Sequence, residues 1–296
     1  MNLLRNALSR DQRRIIAGVA LCFGLIVRCG SAQGAPSTDK AGYTLFNPVP
    51  AEMVRELSPD RPDKTESPYT LDAGHFSLEM DFANYTFDKS DNITTMAWNI
   101  APFNFKAGLL NNVDVQIVFD GYKQVSSEDH AEGITAIRSG VGDLTARVKI
   151  NMWGDETGKT AFAVLPYVKF PTSTDSLGNN SVEGGIICPF ALKLPGGFDL
   201  GLETAVGFLH DGGDNNYHED FINSITLDHA IIGKFSGYLE FFSEIGTEPR
   251  TGWAGTIDAG VEFLATENVQ FDCGCNFGVT PVADGFNPFA GITIRF

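Results

Sequence analysis

Apolar and polar residues alternate with a period of two through most of the chain, in segments of roughly ten residues separated by turn-forming residues. Such alternation puts successive side chains on opposite faces of a strand. From His75 to Tyr85, the residues Phe76, Leu78, Met80 and Phe82 share one face, and Ser77, Glu79 and Asp81 the other. A second segment, Thr94 to Lys106, carries Met96, Trp98 and Ile100 on one side, with Pro102 expected to shift its register. The third sets Val113, Val115, Ile117 and Phe119 against Asp114, Gln116 and Asp120. In the fourth, Leu144, Ala146, Val148, Ile150 and Met152 alternate with Asp143, Thr145, Arg147, Lys149 and Asn151. Further segments follow at Thr160–Phe170, Val182–Leu194, Phe198–His210, Asp220–Ile232, Ser236–Gly246, Trp253–Ala265, Val269–Val279 and Asn287–Phe296, which makes twelve.

The connections vary in phase with this count. Asn111–Asn112, Gly154–Lys159, Pro195–Gly197, Gly233–Phe235 and Thr266–Asn268 are short, whereas Lys123–Arg138, Pro171–Ser181 and Asp211–Glu219 are long, polar and rich in Gly and Asp. Short turns on one side and long loops on the other, with an even strand number, are the pattern of a transmembrane antiparallel up-and-down β-barrel of the bacterial outer membrane. No window beyond the first 32 residues is apolar for the 18 or more positions that a membrane-spanning helix needs. The predicted fold class is therefore all-β, a barrel of about 12 strands over residues 74–296.

The N-terminal residues suit an exported protein. Arg5, Arg10, Arg13 and Arg14 precede an apolar run from Ile15 to Val27 and small residues at Gly30, Ser31 and Ala32. That order is the basic, apolar, small-residue sequence of a signal peptide. As a helix the run rises only about 20 Å, too short for a hydrocarbon core of about 30 Å. Residues 1–32 are read as a cleaved signal peptide. Residues 33–73 hold six prolines and a possible helical turn at Ala51–Leu57, so they cannot form a ladder strand. They are read as a Pro-rich N-terminal segment, either a periplasmic tail or a plug-like stretch folded up into the lumen.

Without residues 1–32 the chain has 16 basic and 36 acidic residues, a net charge of −20. Nucleic acid is excluded as a partner for so acidic a surface. Cys188, Cys273 and Cys275 are odd in number and lack CxxC spacing, so neither a disulfide framework nor a metal or cofactor is expected.

On the polar face the predicted lumen-lining acids are Glu79, Asp81, Asp114, Asp120, Asp143, Glu183, Asp199, Glu203, Asp228, Glu240, Glu244, Asp258, Glu262 and Asp272. The predicted bases are Arg147, Lys149, Lys169, Lys193 and Arg295. An open pore with this lining favours cations. In a closed barrel the same groups pair with one another and with water. Apolar residues assigned to the inner face are Tyr122, Leu165, Tyr167, Ile187, Leu209, Ile222, Tyr238 and Phe242, a minority there. The run His210–Asp220 concentrates oxygen ligands and two histidines, but it departs from the EF-hand pattern and closes no ligand set by itself. Ser126, Glu128, Asp129 and His130 include the residue types of a nucleophilic site, yet neighbours in one loop rarely hold catalytic geometry, and no enzyme is expected. Phe296, ending an alternating strand with Ile292 and Ile294, resembles the signal read by the barrel-assembly machinery.

Several stretches resemble one family. They are Asp60–Phe76 (DRPDKTESPYTLDAGHF) with Glu79, Gly142-Asp143-Leu144 leading to Lys149 and Trp153-Gly154, Leu165–Thr172 (LPYVKFPT), and Glu183–Pro189 (EGGIICP) followed by Leu194-Pro195. They are similar to outer-membrane transporters of the "MetA-pathway of phenol degradation" family. The resemblance implies an outer-membrane channel or transporter for small molecules, surrounded by lipid, with aromatic or hydrophobic compounds as a candidate cargo; it brings no catalytic or binding residues. The alternatives are a barrel that displays loops without transporting and an outer-membrane hydrolase.

Overall fold

The computed structural model describes residues 40–90, 92–211, 216–248 and 252–296; the signal-peptide reading falls outside them. Fifteen strand segments form one sheet, β1 (Phe76–Ser90), β2 (Ile93–Ile100), β3 (Phe103–Leu110), β4 (Val113–Phe119), β5 (Tyr122–Asp129), β6 (Ile134–Val141), β7 (Leu144–Trp153), β8 (Thr160–Phe170), β9 (Glu183–Lys193), β10 (Phe198–His210), β11 (Tyr217–Ile232), β12 (Phe235–Gly246), β13 (Trp253–Thr266), β14 (Val269–Gly278) and β15 (Phe286–Arg295). Neighbours run antiparallel throughout. The sheet closes where β15 pairs with β1, from Ser77↔Arg295 to Phe87↔Phe286. Closure leaves no free edge around the barrel, as a spanning β-structure in lipid requires.

Fifteen segments make twelve passes, because β2–β3, β4–β5 and β6–β7 are each one strand interrupted at the same height. The ladder runs through Phe103↔Phe119 and Phe119↔Leu144 below the break, and through Ile100↔Tyr122 and Tyr122↔Val141 above it. Each strand skips two residues there: Ala101 and Pro102, Asp120 and Gly121, Gly142 and Asp143. Ala101 and Gly121 both take positive φ. A Cβ on Gly121 would meet the Ile100 carbonyl oxygen at 2.5 Å, so glycine is needed for the approach as well as for the φ of +75°.

The skip also resets parity. Ile100 and Phe103, Phe119 and Tyr122, and Val141 and Leu144 are three apart, and cross-strand pairing puts each pair on the outer face. Tyr122, expected on the inner face, is thus outward, 47% exposed beside Ile100. Period-two counting through Asp120 had carried it to the wrong side. The expectation that Pro102 shifts the register of its strand holds.

A second correction concerns Lys123–Arg138, read as an outer loop. Most of it is the β5–β6 hairpin, which extends the barrel wall outward. Its far edge, β6, faces no strand among the described residues. Residues after β8 cover it instead: the Thr174 N–H donates to the Val141 carbonyl at 3.0 Å, and the Ser139 N–H to Asp175 Oδ2 at 3.1 Å. An exposed edge is thereby capped with side chains and one backbone bond.

Outward side chains form the apolar belt. On adjacent strands Ile225, Phe241 and Ile257 lie side by side, as do Leu227 and Leu239, all substantially exposed. Trp153 near one end of the barrel and Trp253 near the other are half exposed, as in the aromatic girdles of outer-membrane barrels. The inner face is the reverse: Glu79, Lys106, Asp114, Gln116, Lys149, Glu240, Asp258 and Thr293 are nearly inaccessible. Polar residues fill this interior, and groups so buried persist only when paired.

Candidate functional site: a lumen pinned by an internal segment

Residues preceding β1 supply the pairing. After a 3-10 turn at Ala51–Met53, the chain runs inside the barrel to Asp72, touching strands on every side. Prolines 59, 62 and 68 deny it a regular ladder, so its backbone N–H groups bond wall carboxylates instead. The Asp60 N–H donates to Glu79 at 3.0 Å, Lys64 and Thr65 N–H to the two oxygens of Glu240 at 3.0 and 2.8 Å, Glu66 N–H to Glu203 at 2.7 Å, and Leu71 N–H to Asp114 at 3.0 Å.

Two groups of ion pairs reinforce these bonds. Asp60 lies between Lys106 of β3, at 2.6 Å, and Lys149 of β7, while Glu79 also holds Lys106 and Glu66 pairs with Arg147. Beside the first group, Arg61 reaches Asp81 of β1 at 2.6 Å and grips Asp272 of β14 with two bonds of 2.6 and 2.9 Å. Its guanidinium is 5.9 Å from the Phe289 ring. Lys64 meets Asp258 at 3.2 Å and lies 4.5 Å from the centre of the Phe242 ring. Gly291 of β15 makes room for Arg61, since a Cβ there would collide with Nη2.

At the periplasmic end the segment is anchored by Asp72, which takes Lys40 at 3.0 Å and Arg55 at 3.1 Å. Burial pushes the Asp72 carboxyl up, but Arg55 and Lys40 outweigh it and hold it below its ordinary range. Arg55 also pairs with Asp155 in the β7–β8 connection at 2.6 Å; there burial prevails and the Asp155 carboxyl is raised. Arg295 donates to the Arg55 carbonyl at 2.6 Å.

Two small clefts of about 190 and 180 Å³ adjoin the segment, and they share Arg61 and Asp81. The first reaches Asp120, Asn104 and Arg147; the second reaches Asp63, Asn84, Asn276 and Phe289. The Arg61–Asp81 bridge is the partition between them.

Of the residues expected to line the lumen, Glu79, Asp81, Asp114, Arg147, Lys149, Glu203, Glu240, Asp258 and Asp272 all contact the internal segment. Asp120 lines a cleft and pairs with Lys123 at 3.0 Å. Others have partners of their own on the wall and loops. Asp143 accepts the Thr172 and Ser173 N–H groups, Lys169 pairs with Glu183, and Glu262 takes the Ser236 hydroxyl at 3.0 Å. Asp228 and Glu244 are half-buried, whereas Asp199 and Lys193 are exposed near the end of the barrel. Phe296 stacks on Phe76, their ring centroids 6.1 Å apart, at the β1–β15 seam.

Sequence reasoning missed Lys106, which is buried between Asp60 and Glu79; continued alternation after Pro102 (Phe103, Phe105 and Ala107 outward) would have placed it inside. It also could not assign Arg61 and Lys64, the cations that meet the excess of wall carboxylates. Among the candidates for other chemistry, the His130 ring bonds the Thr94 hydroxyl at 2.8 Å rather than Ser126.

Comparison with solved structures supports the architecture. The chain is similar to a "COG4313 outer membrane channel from Pseudomonas putida F1", with a TM-score of 0.58 at 13% identity over 81% of this chain and 100% of that one. It shares 9% identity with the NanC porin (TM-score 0.47, 74% of this chain and 98% of that one). With the β domain of the Bordetella autotransporter BrkA it shares 11% (TM-score 0.46, 75% and 98%). No curated protein matches in sequence. The family model described as "Putative MetA-pathway of phenol degradation" matches residues 59–296, from the internal segment through the last strand, and the chain belongs to that family.

Proposed function

We propose that the protein is an outer-membrane channel for small molecules whose path is the barrel interior, narrowed by residues 54–72, with aromatic compounds as the cargo class. The observation that carries this reading is the pair of clefts that meet at the Arg61–Asp81 bridge, inside a barrel wall whose inner face is polar. A barrel built only to display loops has no need for clefts lined with charged groups inside its wall. The phenol-degradation family and the similar outer-membrane channel of Pseudomonas putida point the same way. Aromatic cargo is supported by Phe242 and Phe289, whose rings face Lys64 and Arg61 on the inner side.

The path favours cations. The two clefts are lined by Asp60, Asp63, Glu66, Glu79, Asp81 and Asp120 against Arg61 and Arg147, an excess of acidic groups. Carboxylates lining a passage set the sign of the ions it admits. Reversal potentials in planar bilayers can separate the parts of this reading by comparing phenyltrimethylammonium with butyltrimethylammonium, permanent cations that differ by a ring. Preferential passage of the phenyl cation is expected. Equal permeability would remove the aromatic preference while leaving the channel, and no current at all would favour the closed, loop-displaying barrel.

A further inference from the structure

At the outer rim three side chains converge from two connections, β10–β11 and β12–β13. Asp211 directly follows β10, His218 is the second residue of β11, and Glu248 lies two residues beyond β12. Their ligand atoms all lie within 4.8 Å of one another. His218 Nδ1 is 2.5 Å from Asp211 Oδ1, on the side of the ring that faces the cluster.

A fourth group completes the arrangement. His218 Nε2 is 3.3 Å from Asp220 Oδ1, an atom that is itself buried and makes no hydrogen bond, on a side chain 90% inaccessible. An orphaned buried acceptor 3.3 Å from the far nitrogen of an imidazole needs a donor, and a small rotation of the ring supplies one. If Nε2 carries the proton, it donates to Asp220 and leaves the Nδ1 lone pair free to bind a metal. This is how a metal-binding histidine is commonly oriented, with a carboxylate behind it.

Charge favours the same conclusion. Asp211 and Asp220 both face the one imidazole, and among the described residues neither has a Lys or Arg ion pair, so the ring alone cannot offset both charges. We propose that Asp211, His218 and Glu248 bind a divalent transition-metal ion, with Zn²⁺ as the reference ion and Asp220 orienting the ring, and so tie the β10–β11 connection to the β12–β13 connection beside the mouth of the barrel.

The donor set selects among cations. One nitrogen and two carboxylates suit zinc, which takes three protein ligands and a water, with bonds of about 2.0–2.2 Å. Calcium, wanting six to eight oxygens, is poorly served. Tetrahedral bonds of that length put ligand atoms about 3.4 Å apart, between the 2.5 Å and 4.8 Å seen here, so side-chain rotation of Asp211 and Glu248 suffices.

The test is isothermal titration of ZnCl₂ into the untagged, refolded, full-length barrel in detergent, with CaCl₂ as control. Wild type is expected to bind zinc at one saturable site per chain. His218→Ala should abolish that site, and Asp220→Asn should weaken it about 10- to 100-fold at unchanged stoichiometry. Heat-modifiable gel migration, unchanged in both variants, shows that the barrel is intact. No saturable zinc binding by wild type overturns the proposal, as does wild-type affinity in His218→Ala or displacement of zinc by equimolar calcium.

Discussion

Asp60 is held by two ammonium groups, Lys106 and Lys149, in a place where water is almost absent; Lys149 is fully buried. Ion pairs of this kind add little net stability over an apolar equivalent, because desolvating the charges offsets their attraction, but removing one partner strands the other. Lys149→Met should therefore cost about 3 kcal/mol of stability, whereas Asp60→Asn with Lys149→Met should recover much of that loss. Urea unfolding of the refolded barrel in detergent checks this, and equal losses in the single and double variants would show that the pair is not coupled. Much of this cluster was legible in the sequence, because Glu79, Arg147 and Lys149 fall on the polar side of clean alternating runs. Their partner Asp60 was not, since a proline-rich stretch has no period from which to read which way a side chain points.

The elements show a similar division. Strands such as β8 and β10 begin and end at Thr160, Phe170, Phe198 and His210, the bounds read from alternation, because lipid on one face and water on the other impose a two-residue period. The β5–β6 hairpin escaped that reading. Its residues are almost all accessible, polar groups serve either side, and no contrast between faces marks it as strand. It is joined to the barrel by the β2–β5 ladder, from Ile93↔Asp129 to Ile100↔Tyr122, and departs from the wall at the shared break at Ala101, Gly121 and Gly142. Gly121→Val would force a β-branched residue to a φ of +75° and against the Ile100 carbonyl, a conformation costing about 1–2 kcal/mol before the clash is counted. The expected result is faster amide hydrogen exchange across Tyr122–Val141, with the β10–β12 amides unchanged. Uniform exchange rates in wild type and variant would show that the break does not control the hairpin.

At the scale of the whole molecule, twelve passes enclose an interior wide enough to admit a second layer of chain. Strand number and the alternation of short and long connections were readable; a barrel's hydrogen-bond closure makes both nearly obligatory. The state of the lumen was not, because it depends on where residues 54–72 lie, and that is decided by pairings between residues far apart in sequence, such as Arg61 with Asp272 and Glu66 with Arg147. The excess of wall carboxylates then has a structural use: it receives the N–H groups and cations of the segment, and what remains unneutralised colours the path. The most direct test is single-channel conductance in planar bilayers, comparing wild type with Asp60→Asn/Arg61→Gln, which loses the central fastenings while keeping the barrel wall. Wild type is expected to show small, cation-preferring openings and the variant openings several-fold larger, as the two clefts join. Identical conductance in the two proteins, with both barrels folded, would contradict a path through the lumen controlled by this segment.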